Sequence, residues 1–408
     1  MLAIIALISH HSGGWASFGN PEAAKWLEQS DRYAGSDTIA RALTDVHMGE
    51  IKITTGMFAR QFALISEGVH LIDRVLELAR RLGDSETFFH VSSTWLLQLR
   101  LPQRADERLQ LVEEMLERSR TGMTFGALEG SKFFCIDTYI EFGQRQKAEE
   151  QFDELKRITE RSQQANFLIT STFIDSVIAF LDGRLEDAVE ISQRCRALGE
   201  QLGIPAFGAA LGFLSEGRPK LHLGKIDEVL PQLGYYPSFW PASYLAALGR
   251  NAEVAEILQQ WVMERPGLGT SEDMFGYYYD VHLLSAAVTT RHHKAAELLL
   301  RRLSGSNLCT TGIFDPTCVP RHLGGAAALL GRSDEARKYY QEAIKVTTEM
   351  PFRPELALTR LQLTELLLEH YPEERAEALE HLDFAISELH EMKMKPSLEK
   401  AQALKERF

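Results

Sequence analysis

Cysteine is scarce in this chain: four in 408 residues, Cys135, Cys195, Cys309 and Cys318, scattered too widely for a disulfide framework. That scarcity excludes the disulfide-stapled secreted class and predicts a cytoplasmic protein with reduced thiols. Clustered positive charge is missing too. Acidic residues outnumber basic ones 57 to 44, a net charge of −13, and no long basic run occurs. Counterion release from nucleic acid needs clustered Lys and Arg, so no nucleic-acid partner is expected, and basic or neutral partners are favoured. Long apolar runs are also absent. The opening Met1 to Ile8 is apolar but has no basic residues before it. It is far shorter than the ~20 residues that span a bilayer, so it reads as the end of a buried helix and no membrane association is expected. Alternating strand patterns do not occur.

Catalytic signatures are missing as well. There is no Gly-x4-Gly-Lys-Ser/Thr phosphate loop, and Gly126-Ala-Leu-Glu-Gly130-Ser-Lys132 has the wrong spacing for one. His-Glu-x-x-His, Gly-x-Ser-x-Gly and Asp-Asp-x-x-Asp are all absent. The expectation is a protein that is no enzyme and holds no cofactor or metal. An all-α hydrolase built from scattered carboxylates is a remote alternative.

What the chain does contain is a recurring phrase. It reads Gly-Arg-Leu-Glu-Asp-Ala at 183–188, Gly-Lys-Ile-Asp-Glu-Val at 224–229, Gly-Arg-Asn-Ala-Glu-Val at 249–254 and Gly-Arg-Ser-Asp-Glu-Ala at 331–336. Looser copies start at Gly19 and Gly143. Aligned on the last residue, the copies fall at Ala24, Gly68, Arg108, Ala148, Ala188, Val229, Val254, Ala295, Ala336 and Ala378. Successive steps are 40–44 residues, except for 25 between Val229 and Val254. A fixed period of this size marks a solenoid of stacked supersecondary units.

One unit explains the period. Gly331 suits the left-handed C-cap of one helix, and Ser333 or Asp334 suits the N-cap of the next. Ala336, Tyr340, Ala343 and Ile344 then form one apolar face at i, i+4, i+7 and i+8, and Ala378, Leu382, Ala385, Ile386 and Leu389 form another. Pro351 and Pro354 punctuate before a helix over 355–369. Earlier stripes are Ala148, Phe152, Leu155 and Ile158, and Ala188, Ile191, Cys195 and Leu198. Between them an apolar helix is expected over 164–181. The fold prediction is all-α: antiparallel helix pairs stacked as a right-handed α-solenoid with a period of about 40 residues. Its parts are N-terminal repeats over 1–230, an irregular short unit over 231–280 and C-terminal repeats over 281–408, in one continuous array.

Ala336-x3-Tyr340-x2-Ala343 and Ala378-x3-Leu382-x2-Ala385 resemble the second helix of tetratricopeptide repeats. Their long period resembles the C-terminal helical-repeat sensor region of bacterial multidomain signal-transduction ATPases, as does the closing stretch from His381 to Ala401. That resemblance implies a protein-interaction or ligand-sensing module, the sensor part of a signalling protein whose motor and output domains this sequence does not contain. A free-standing scaffold or adaptor is the alternative. Leu2 to Ile8, apolar with no cap in front, predicts upstream sequence or a docked partner.

Function in repeat arrays concentrates where regularity fails. Pro231, Pro237 and Pro241 break the short unit, which carries Tyr235, Tyr236, Phe239, Trp240 and Tyr244; Phe275, Tyr277, Tyr278 and Tyr279 follow closely. Aromatic anchors with polar tips suit a protein, peptide or small-effector site in the concave groove, and these nine residues are the candidate site. The competing expectation is that the rings plug a packing gap. The loop 304–319 reads as a lid or a surface insertion. Cys309-x8-Cys318-x3-His322 is a weak metal pattern, lacking the tight Cys-x2–4-Cys pair of structural zinc. Arg100, Arg301 and Arg302 are candidates for anion contact, and His292-His293 fall where a turn belongs.

Overall fold

The recurring glycine stops a helix. In the computed structural model, Gly143, Gly183, Gly224, Gly249 and Gly331 have φ of 69°, 81°, 73°, 72° and 71°, the left-handed region that costs a residue with a Cβ. Where the phrase reads Thr290-Arg291-His292, Arg291 takes that conformation instead, with φ 56°. The structure describes residues 21–121, 123–233, 237, 239–240 and 242–407. The stretch 2–8, the pair His10-His11, Tyr235 and Tyr236 lie outside the described residues.

The described chain is all-helical apart from one isolated bridge between Thr310 and Cys318. Its first half comprises α1 (Pro21–Tyr33), α2 (Ile39–Ala59), α3 (Phe62–Leu82), α4 (Ser85–Gln98) and α5 (Ala105–Glu117). It continues with α6 (Phe125–Glu141), α7 (Arg145–Ser162), α8 (Ala165–Leu181), α9 (Leu185–Gln201) and α10 (Pro205–His222). The proline-rich unit then yields only short pieces, a single turn at Leu230–Leu233, α11 (Ala242–Ala247) and α12 (Asn251–Leu258), which runs into a π-helical turn at Gln259–Met263. Regularity returns with α13 (Tyr277–Thr289), α14 (His293–Leu303), α15 (Val319–Leu329), α16 (Ser333–Glu349), α17 (Arg353–His370), α18 (Arg375–Glu391) and α19 (Lys395–Lys405). The helices pack against their neighbours in chain order.

The expected apolar stripes face inward: Ala336, Tyr340 and Ala343 on α16, and Ala378, Leu382, Ala385 and Leu389 on α18, are buried, while Ile344 and Ile386 are partly covered. Capping differs from expectation. Arg332 stands at the cap of α16 with no side-chain bond, and Ser333 is the first helical residue. Asp334 and Glu335 therefore act through the dipole of the first turn. His292 is the N-cap of α14, its Nδ1 accepting from the Ala295 N–H at 3.2 Å. Helix pairs α9–α10 and α2–α3 approach most closely at glycines: a Cβ on Gly208 would sit 2.6 Å from the Cys195 carbonyl, and one on Gly68 would sit 2.6 Å from that of Gly49.

Two scales of polar cross-linking organise the molecule. The first joins neighbouring units 34–37 residues apart: Arg80 to Glu114, Arg120 to Glu154, Arg145 to Asp182, Arg337 to Glu374 and Arg353 to Glu388. The second joins distant parts in two bands. Gln103 to Asp273, Thr310 to Ile140, Arg353 to Asp182 and Ile313 to Asp137 are 170–176 residues apart. Arg60 to Glu264, Asn307 to Asp106, Arg145 to Pro351 and Lys393 to Glu186 are 201–207 apart. The chain thus curls back on itself, so that first-half units lie beside second-half units in the same order.

The segment 308–319 occupies the space this curling encloses. It is neither a lid nor a surface insertion: Thr310 to Val319 are all buried. Its Cys309 and Thr310 N–H groups donate to the Glu141 carbonyl at 2.8 and 3.0 Å, and Phe314 lies against Phe133 and Phe173 with ring centroids 5.5 and 6.0 Å away.

Candidate functional site

A helical chain normally keeps its charges outside, because an uncompensated buried ion is very costly. Here, charged side chains line the interior, and four sets of them are answered by partners from other elements. Arg100, just after α4, is 5% exposed and pairs with Asp137 and, at 2.7 Å, with Glu141 of α6; Arg108 of α5 pairs with the other Glu141 oxygen. The Ile313 N–H donates to Asp137 at 2.9 Å. Farther along, Arg218 of α10 donates to Asp315 at 2.9 Å and contacts His282 Nδ1 of α13 at 2.8 Å. Arg321 of α15 grips Glu355 of α17 through two bonds of 2.6 and 3.0 Å, and Thr317 and the Cys318 N–H also bond that carboxylate. A fourth set joins Arg265 and Arg302 to Asp273 and Asp280.

Three of these four sets hold the segment 308–319. Asp137 receives its backbone at Ile313, Arg218 takes its Asp315, and Glu355 takes its Thr317 and Cys318. The pairs are locally neutral, which is the condition under which charge survives burial. Burial pushes the Asp137 carboxyl up to about 6 against the pull of Arg100. It also raises the Glu355 carboxyl, but Arg321 and Arg218 outweigh that and hold it below its ordinary value.

Around Arg218 and Asp315 the polar groups do not all find partners. His282 Nε2, His222 Nε2 and the Tyr278 hydroxyl are buried without a hydrogen bond. The Tyr278 and His282 rings are 4.9 Å apart, and Tyr278 and His222 are both within electrostatic reach of Asp315. The Tyr244 hydroxyl lies beside the Asp315 carboxylate. Burial and the Arg218 charge push the His222 imidazole down to about 3 and that of His282 well below its usual value, so both are neutral. Each unmet polar group costs about 1–3 kcal/mol unless a water or ligand completes it. Three such groups around one ion pair form the candidate site.

The aromatic residues singled out from sequence fall into two sets. Phe239, Phe275, Tyr277 and Tyr244 are buried at 0–2% exposure; Phe239 packs edge-to-face against Trp261 and Phe275, and Phe275 edge-to-face against Phe62. Tyr278 is buried too, but it faces the site. Trp240 and Tyr279 are partly exposed and lie 5.3 and 5.1 Å from Tyr278, linking the apolar cluster to the polar one. Sequence reasoning passed over Arg218, His222, His282 and Asp315. Arg218 and His222 sit on one helix face at i and i+4, a faint signal. Asp315 carries none, because only the curled chain brings it to Arg218.

The other sequence candidates resolve plainly. Arg100 and Arg302 are consumed by buried ion pairs, while Arg301 is exposed and lines a surface concavity of about 320 Å3 with Lys294, Glu297 and Arg332. His322 Nε2 is engaged by Thr317 at 2.7 Å, and among the described residues no group of His, Cys, Asp and Glu is placed to hold a metal ion. Burial pushes the Cys309 thiol up to about 11 and that of Cys318 well above its ordinary value. No helix among the described residues is long and apolar enough to cross a membrane.

Fold and site together define an all-helical protein whose chain encloses a charge-compensated interior. The sequence matches no family model and no curated protein.

Proposed function

We propose that this chain is a ligand-sensing module, a right-handed tetratricopeptide-like α-solenoid serving as the sensor part of a cytoplasmic signalling protein. Its recognition site is the polar cluster around Arg218 and Asp315, entered past Trp240 and Tyr279. One observation carries the reading: three buried polar groups from α10 and α13 lack partners around that ion pair. Other such groups, among them the Ser92 and Thr138 hydroxyls, are scattered through the interior, and the clustering at Arg218 and Asp315 sets these three apart. The 34–37-residue cross-links and the two long-range bands support a superhelix whose successive turns touch. A ligand bound between turns would then change the curvature that an attached output domain reads.

The test is native mass spectrometry of the chain purified under non-denaturing conditions, with Tyr278→Phe as the control. The expected result is a co-purifying molecule of low mass that is depleted in the variant. A chain without one, and without thermal stabilisation by any metabolite fraction, would sink the sensor reading. The scaffold alternative draws on the exposed Tyr33 and Phe58, at 81% and 61%. Crosslinks to a protein partner that cluster there, with none near Trp240, would favour it.

A further inference from the structure

Resting on that reading, we infer that the site selects an uncharged, multiply hydrogen-bonding molecule and rejects charged analogues of the same shape. The charge inventory carries this. Arg218 is neutralised by Asp315, and beyond it Arg321 is neutralised by Glu355. Neither cation is left to meet an anion, and neither carboxylate is left to meet a cation. The three open valences belong to one hydroxyl and two imidazoles. The Tyr278 hydroxyl can donate or accept, His222 takes its role by tautomer, and His282 Nε2 donates, because its Nδ1 accepts from Arg218. Their environment keeps His222 and His282 neutral, so neither supplies a positive charge.

An incoming ion would therefore bring an uncompensated charge into a region that is 3–7% exposed at Tyr278, His282 and His222. Moving an unpaired charge out of water costs far more than a neutral hydroxyl or amide, whose hydrogen bonds these groups can replace. The Tyr278 and Trp240 rings, 5.3 Å apart, offer apolar faces beside the polar groups. The ligand class is thus a compact neutral molecule bearing several hydroxyl or amide groups.

The experiment is thermal unfolding of the full chain at matched ionic strength with two charge series of similar size. The first is glucose, glucuronate and glucosamine; the second is pentanediamide, glutarate and cadaverine. At about 10 mM, a neutral probe with a Kd near 1 mM raises Tm by roughly 1–2 °C for a chain of this length. Glucose or pentanediamide is expected to do so, with its charged counterparts giving no more than a third of the shift. Tyr278→Phe, which removes only the hydroxyl, is expected to keep its own Tm and lose the ligand shift. If glucuronate, glutarate, glucosamine or cadaverine stabilises as well as its neutral partner, and that shift vanishes in Tyr278→Phe, the selectivity is overturned while the sensor site stands. A shift that survives in Tyr278→Phe places binding elsewhere and overturns the inference. If none of the six raises Tm, this inference falls, while the sensor reading is decided by the co-purification test above.

Discussion

At the scale of single residues, the interior is governed by whether a buried polar group is paired. Glu129 is the sharpest case: its carboxylate meets Asn166 and Thr170 at 2.6 and 2.8 Å, but no cation. Burial raises it from 4.5 to about 7, despite those two bonds. A raised folded-state value means that its stabilising protonated form is complete below pH 4.5 and lost as pH rises towards 7. Glu129→Gln is expected to be nearly neutral at pH 4.5 and to stabilise by about 2–3 kcal/mol at pH 8, read by urea denaturation at both pH values. The histidines act in the opposite direction. His222, depressed from 6.5 to about 3, contributes stability above pH 6.5 that is lost as pH falls towards 3. His222→Phe, which keeps a ring against Phe180, is expected to flatten the decline of Tm between pH 6 and 4. An unchanged acid slope would mean that His222 is not buried neutral.

At the scale of elements, two kinds of contact matter. Helices α9 and α10 touch at Gly199 and Gly208, where an added Cβ meets backbone rather than a yielding side chain. Gly208→Ala is expected to cost about 1–3 kcal/mol or more, because overpacking here must separate whole helices. The segment 308–319 is the second element. Asp315→Ala leaves Arg218 buried and unpaired, and is expected to cost about 3–5 kcal/mol. Phe314→Ala, which empties the space between Phe133 and Phe173, is expected to cost a similar ~3–5 kcal/mol. If denaturation shows either variant at wild-type stability, the segment is not the internal strut described above.

Across the whole molecule, the two halves are joined by contacts of unequal weight. Lys393–Glu186 and Arg60–Glu264 are exposed pairs, screened by solvent and salt. Lys393→Ala and Arg60→Ala are expected to leave Tm within about 1 °C of wild type in a thermal melt. The buried bonds of Cys309, Thr310 and Ile313 to α6 hold the halves together instead. Shortening the segment between Leu308 and Val319 to a glycine linker is therefore expected to enlarge the radius of gyration in solution scattering while helix content persists. An unchanged radius would assign the closure to the rim contacts.

Local chemistry was legible in the chain itself. The glycine phrase announced helix ends because a left-handed residue is a property of the backbone alone. The Ala-x3-Tyr-x2-Ala faces announced burial because a 3.6-residue period puts them on one side. The short proline-rich unit followed from the missing N–H and fixed φ of proline. The aromatic run was visible, but sequence could not say which rings would pack and which would border a site: Phe275 and Tyr278 differ only in what the fold brings to them. The polar site was hidden for the same reason. Arg218, His282 and Asp315 span 97 residues and share no motif. Their meeting depends on the segment 308–319 entering the interior, where Asp315 reaches Arg218 of α10. A contact between parts so far apart in the chain leaves no local pattern, and only the tertiary structure decides it.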